Sequence, residues 1–385
     1  MKAYLDWNAT APLRPEARAA MLAAADVAGN PSSVHAAGRA ARRLVEQARE
    51  QVAALVGAAP RDVVFTSGGT EANALALTPA IDVAGDKTPC RRLLVSAVEH
   101  PSALNGGRFG QGSIEELPVM PDGKVDLARL EQRLRELSGQ RALVSIMLAN
   151  NETGVIQPVQ AAADLVHGAG GLMHTDAVQG SGRILCDFRA LGVDLLTLSA
   201  HKLGGPKGVG ALIKRPDLHL EPHIKGGGQE RSQRAGTENV PGIAGFGVAA
   251  ETARHNFAAE RGRMTALQQR LEAGLHKISP DAVIFGSQAE RLPNTTLFSV
   301  PGLKAETAVI AFDLEGIAVS SGAACSSGKV APSHVLAAMG VAPELARGAI
   351  RLSIGYATTE IEISAFLTAW EKLAGALYKA REIAA

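Results

Sequence analysis

The sequence predicts an α/β protein in two parts, a large domain with a mainly parallel sheet covered by helices and a smaller α+β domain. Three observations carry this. Short, nearly unbroken apolar runs alternate with helical stretches through the first two thirds of the chain, and these runs end repeatedly in small or polar residues. Past about residue 255 the alternation gives way to one long amphipathic stretch followed by short strands. Strands without polar alternation belong to sheets buried on both faces, and intervening helices make such sheets parallel.

The elements follow in order. "DVVFTSGG" (62–69) reads as a strand leading into the helical "TEANALALTPAI" (70–81), and "RRLLVSAVEH" (91–100) leads into "PSALNGGRFG" (101–110). "ALVSIMLANNETG" (142–154) is followed by "VQAAADLVHGAG" (159–170), then by the strands "GLMHTDAVQG" (171–180) and "VDLLTLSAHK" (193–202). Within 257–278, Met264, Leu267, Leu271, Leu275 and Ile278 recur at helical spacing and form one apolar stripe. Short strand patterns follow in "DAVIFGS", "NTTLFSV", "IAVSSG" and "AIRLSIG", with helix patterns at 304–315 and 360–381. The expected division is 16–255 for the large domain and 1–15 with 256–385 for the small one; 385 residues exceed what one core usually holds.

A formal net charge of +1 gives no electrostatic basis for binding nucleic acid or an anionic membrane surface. No apolar run approaches the roughly 20 residues of a membrane span, and the first residues lack the pattern of a leader. The three cysteines, Cys90, Cys186 and Cys325, form neither a disulfide framework nor a zinc pattern. A reducing cytoplasm is the expected location.

In an open parallel sheet, ligands bind beyond the carboxyl ends of the strands. The strands here deliver Ser67-Gly68-Gly69-Thr70, Glu99-His100, Asn150-Asn151-Glu152, Asp176-Ala177-Val178-Gln179 and Ser199-Ala200-His201-Lys202. Taken singly, each is an ordinary terminator, helix cap or structural histidine. As a set they match what pyridoxal 5′-phosphate requires: an amine for covalent attachment, Lys202; a carboxylate for the pyridine nitrogen, Asp176; and small residues opening a helix for the phosphate, Gly69 and Thr70, with Ser199 and His201. His100 supplies a flat group over the ring, and Gln179 and Asn151 supply donors to the phenolic oxygen. No GxxxxGK[ST] run occurs, and no GxGxxG follows the first strand.

Cys325 lies in "AVSSGAACSSGKVAPSHVL", among small residues that leave room around a reactive thiol, whereas Cys90 and Cys186 read as small buried hydrophobes. "KGGGQERSQRAGTENV" (225–240) is either a flexible surface loop or an anion-binding edge reaching a neighbouring subunit. Arg351, alone among apolar residues, needs an anion; a substrate carboxylate and a structural acid serve equally well.

The chain resembles the cysteine desulfurases of the NifS/IscS type, class-V aminotransferase relatives with the type I fold of pyridoxal-phosphate-dependent transferases. The stretches that carry the resemblance include "YLDWNATAP", "GNPSSVHAAGRAAR", "VVFTSGGTEANALAL", "ANNETGVIQPV", "HTDAVQ", "SAHKLGGPKGVG", "GGGQERSQRAGTENV", "SSGAACSSG" and "IRLSIGYATTEIEI", spread from end to end. The resemblance implies that Lys202 holds the cofactor and that His100 assists proton transfer. It further implies that Gly69, Thr70, Ser199 and His201 hold the phosphate together with Thr237 from the other subunit of a homodimer. Arg351, aided by Asn30 and Asn151, would bind the substrate carboxylate, and Cys325 would be the nucleophile. L-cysteine would become L-alanine and leave a persulfide on Cys325, whose sulfur passes to an acceptor protein, an iron–sulfur scaffold or a thiol relay. The nearest alternatives are a selenocysteine lyase and another class-V aminotransferase. Trp7 stands where the pattern carries asparagine, with a possible change of packing at the site entrance, and Ala323 where serine is common.

Overall fold

The computed structural model describes residues 1–322 and 333–384, with side chains through Lys379. Its centre is a seven-stranded sheet of β1 (Val63–Thr66), β2 (Arg92–Ser96), β3 (Ile114–Leu117), β4 (Ala142–Ser145), β5 (Leu172–Asp176), β6 (Leu195–Ser199) and β7 (Gly210–Lys214). The order across the sheet is β1-β7-β6-β5-β4-β2-β3. The pairs from β6 through β3 are parallel. β7 runs antiparallel to both β6 and β1.

Neither β3 nor β7 was among the expected strands. β3 is an edge strand with Glu115 and Glu116 in its middle, so it lacks the apolar signature of the interior strands. β7 is reached from β6 by a short glycine-rich turn, too short for a helical crossover, which forces the reversed direction. Gly204 (φ 83°) and Gly208 (φ 78°) take the left-handed conformation in that turn. Gly210 is required for a different reason: a Cβ there would sit 2.5 Å from the main chain of Gly68. β7 therefore packs directly beneath the turn that follows β1.

The strands alternate their side chains between two buried layers. Val63, Phe65, Leu94, Val144, Leu196, Ala211 and Ile213 join one; Val64, Leu93, Val95, Leu143, Leu195 and Leu212 join the other. On the first face, α1 (Pro15–Ala25) and α2 (Ala36–Leu55) pack on a later helix, Val240–His255. Small residues allow the close approach, since a Cβ on Gly247 would fall 2.5 Å from the Ala48 Cα. The stretch after β2 yields only a four-residue helix, Pro101–Leu104, shorter than its sequence suggested.

A separate apolar cluster gathers the C-terminal third. The helix Phe257–Ile278 buries Met264, Leu267, Leu271 and Leu275, and Ile278 is half-buried. They pack with Ile363, Phe366 and Trp370 of the last helix, Glu360–Ala384, and Trp370 meets the Phe298 ring edge-on at 5.1 Å. Truncating such a buried aromatic to alanine costs about 3–5 kcal/mol. The strands here, Val283–Ile284, Thr295–Ser299, Ile350–Ser353 and Ser320–Ser321, form an antiparallel sheet in that spatial order. The N-terminus packs here too: Ala3–Tyr4 pairs in parallel with Ile317–Ala318 as a separate two-stranded sheet, and Ala3 and Leu5 are buried in this cluster. Among the described residues no helix is long and apolar enough to cross a membrane.

Candidate active site

The carboxyl ends of β1, β2, β4, β5 and β6 converge on one cleft of about 330 Å³. Gly69, Thr70, His100, Asn151, Asp176, Gln179, Ser199, His201, Lys202 and Arg351 all line it. Asn30 and Thr237 do not line it. Both are exposed, and the Asn30 side chain accepts a hydrogen bond from the Ser32 N–H at 2.8 Å. Cys325 and Ala323 lie outside the described residues.

The turn after β1 opens α3 (Gly69–Ala76) onto the cleft. No atom lies within 4 Å of a Cβ placed on Gly68, whereas one on Gly69 would approach Val178 to 3.1 Å and Ser199 to 3.5 Å. Glu71 braces this turn by accepting from the Ser67 N–H at 2.8 Å and from Arg234 at 2.9 Å. Burial alone would raise its pKa, but these partners hold it below the usual carboxylate value.

Lys202 follows β6 directly, on a single 3-10 turn. Its Nζ donates to the carbonyl oxygens of Asn8 and Ala9, the latter at 2.8 Å. On β5, Asp176 is buried; its Oδ1 accepts from the Val178 N–H at 2.9 Å and its Oδ2 from the Asn73 amide at 2.8 Å. The same amide nitrogen donates to the Ser102 hydroxyl at 2.9 Å, and that hydroxyl lies 2.7 Å from His100 Nδ1. The Ser102 N–H also donates to Nδ1, at 3.1 Å. A main-chain N–H can only donate, so Nδ1 is an acceptor and the neutral imidazole carries its proton on Nε2. Desolvation lowers the His100 pKa; Asp176 opposes this, while Lys202 and His334 reinforce it. Burial, Lys202, Lys207 and Arg183 bring His201 down to about 4, so it is neutral at physiological pH and pairs with the Thr10 hydroxyl at 3.2 Å.

Arg351 is buried, with one guanidinium nitrogen 2.8 Å from Asp6 and another 3.0 Å from the Asn151 carbonyl. Its Nε is buried without a partner among the described residues. Arg351 thus has a structural acid and also faces the cleft.

Several residues here carried no role in the sequence reading. The Asn8 carbonyl accepts from Lys202 and Gln179, and its side chain spans Asn151, Thr295 and Asn294. Asn73 and Ser102 link Asp176 to His100. Arg183 donates to Gln179 from a buried position. The "WNAT" segment was visible, but 194 positions separate Asn8 from Lys202 and nothing local announces their contact. Trp7 is not at the entrance. It is buried against Tyr356, ring centroids 5.0 Å apart, and Gly355, where a Cβ would strike its ring. Cys90 and Cys186 are buried and burial pushes both thiols up to about 12, which suits packing and not nucleophilic attack.

Residues 3–366 match the family described as aminotransferase class-V, so the lysine-bearing cleft at the carboxyl edge of this sheet is that of a class-V enzyme. Relatives named cysteine desulfurase include one from Cereibacter sphaeroides, 46% identical over 95% of this chain and 94% of its own length. Another, named cysteine desulfurase IscS, from Dictyoglomus turgidum, is 41% identical over 96% of this chain and 94% of its own. A NifS-like protein from Rickettsia africae has a similar solved structure, with TM-score 0.88 and 38% identity, covering 97% of this chain and 99% of that one. The chain belongs to the cysteine desulfurases of the class-V aminotransferase family.

Proposed function

We propose that this chain carries pyridoxal 5′-phosphate on Lys202 and uses it to convert L-cysteine to L-alanine, with the sulfur taken up by Cys325. The supporting observation is that Lys202 and Asp176, delivered by neighbouring strands, line one cleft with His100 and Gln179. The donor set fits the cofactor. Lys202 supplies the anchoring amine, Asp176 an acid whose two oxygens are oriented by hydrogen bonds from Asn73 and Val178, and the turn at Gly68, where a Cβ would meet open space, room beside N–H groups at a helix start. Ser199, His201 and Thr70 complete the phosphate side, and Gln179 and Asn151 the phenolic side. When bound, the group acts as an electron sink that makes the substrate's carbon–sulfur bond breakable.

The chain's own residues do the rest. Arg351 and Asn151 hold the substrate carboxylate; Asn30, exposed and outside the cleft of the single chain, does not line it. His100, its proton on Nε2, and Lys202 move protons. The Cys325 thiolate attacks the substrate sulfur; the sulfur leaves its carbon for Cys325 Sγ, giving a persulfide, and the vacated carbon takes up a proton to become the alanine methyl group. The persulfide sulfur then passes to an acceptor protein, an iron–sulfur scaffold or a thiol relay. The enzyme acts in the cytoplasm as a homodimer in which Thr237 reaches the partner's phosphate, and its domains are 16–255 and 1–15 with 256–385. The test is labelled L-cysteine followed by mass spectrometry of the Cys325 peptide. A persulfide there is expected, and Cys325→Ala should keep the cofactor's colour while losing sulfur release. Normal desulfurase turnover by Cys325→Ala would refute the assigned nucleophile.

A further inference from the structure

Arg183 follows the β5 end by seven residues, is buried, and has no carboxylate within ion-pair distance among the described residues. It donates to the Gln179 carbonyl at 3.1 Å, to Gln179 Oε1, and weakly to the Lys202 carbonyl at 3.5 Å. Burial, with repulsion from Arg351, pulls its pKa down to about 9, so it is still a cation at neutral pH. Burying a charge without an opposite charge is costly, so what Arg183 does there needs an account.

The consequence falls on Gln179. Arginine only donates, so the atom facing Arg183 must be the amide oxygen; Nε2 must then face the Asn8 carbonyl, which it does at 3.0 Å. One N–H of that amide is taken by Asn8, and the second remains for a ligand in the cleft that Gln179 lines.

We infer that Arg183 is a positioning residue for the cofactor: it fixes the Gln179 amide with its NH2 toward the phenolic oxygen and places a positive charge behind that contact. The inference rests on the assignment of pyridoxal phosphate to this cleft. Among the described residues, the other charged or titratable groups facing the cleft are Lys202, His201, Asp176, His100 and Arg351. None of them bonds to the Gln179 amide among the described residues. A cation behind the phenolic oxygen favours its ionised form, and hence the less protonated state of the bound cofactor.

The test compares wild type, Arg183→Lys, Arg183→Met and Gln179→Ala by three readouts: thermal midpoint without cofactor, affinity for pyridoxal phosphate, and the pH midpoint of the bound cofactor's visible band. Arg183→Met should leave the cofactor-free midpoint unchanged or raised, weaken cofactor binding about tenfold, and move the pH midpoint up by about one unit. Arg183→Lys should restore most of both effects, and adding Arg183→Met to Gln179→Ala should change little further. An Arg183→Met protein with wild-type affinity and pH midpoint overturns the inference alone; if Arg183→Met fails to fold, Arg183→Gln is measured in its place and the same result overturns it. Wild-type protein that develops no visible band with pyridoxal phosphate overturns the cofactor assignment and the inference together.

Discussion

Two buried arginines divide this molecule. Arg49, on α2, meets Glu230 through both terminal nitrogens at 2.7 and 2.8 Å, and Glu230 also accepts the Phe65 N–H at 2.8 Å. Burial opposes the Arg49 charge, but Glu230 and Glu46 outweigh it and raise the pKa above its ordinary value. Arg183, also buried, donates among the described residues only to carbonyl and amide oxygens, and its pKa falls. The first site is complete within the fold. Its clamp holds Glu230, Arg231 and Ser232 in the left-handed region, at φ 45°, 56° and 63°, a conformation that costs roughly 1–2 kcal/mol per residue. The second site holds its cation with neutral acceptors alone among the described residues. The first arrangement explains itself by packing, and the second is the one our inference ties to the cofactor.

The sharpest way to break this contrast is to remove one partner of the completed pair. Glu230→Ala should destabilise the protein by about 3–5 kcal/mol, because it leaves the Arg49 cation buried and unpaired; chemical denaturation measures it. A loss below about 1 kcal/mol would show that the clamp does not hold the left-handed segment.

Glu152 tests a buried acid elsewhere in the molecule. Burial pushes its carboxyl up to about 7, with the Ser333 hydroxyl and Arg351 pulling the other way. Its folded pKa is above the unfolded value, so the stabilisation is full below about 4.5 and is lost as pH rises through 7. Glu152→Gln should therefore gain up to about 3 kcal/mol over wild type at pH 8 and little at pH 4, read as the difference between two denaturation series. Equal effects at both pH values would mean that Glu152 is not held protonated.

The smallest effect is expected at the surface. Arg270 and Glu360 meet at 2.6 Å with exposed side chains, and Glu360→Gln should change stability by no more than about 0.5 kcal/mol. A larger loss there would blur the distinction between buried and exposed pairs.

The sequence made one side of this contrast legible and hid the other. Lys202, Asp176, His100 and Gln179 could be read because strand ends in a parallel sheet share an edge, so order along the chain predicts proximity. Arg183 could not, because its meaning is the absence of an acid around it, and absences appear only when every neighbour is placed. Asn8 was hidden by chain distance, and Asn73 looked like one polar residue in an apolar helix. β7 escaped because its direction depends on how the glycine turn folds back. Asn30 and Thr237 stand apart from the cleft in the single chain, and no local pattern states which subunit a loop serves.

The most direct measurement is chemical. Protein loaded with pyridoxal phosphate is reduced with borohydride, digested, and its lysine peptides weighed. The account predicts one cofactor-sized mass increase, on the peptide carrying Lys202 and abolished in Lys202→Ala. The same increase on another lysine, or on none, would contradict it.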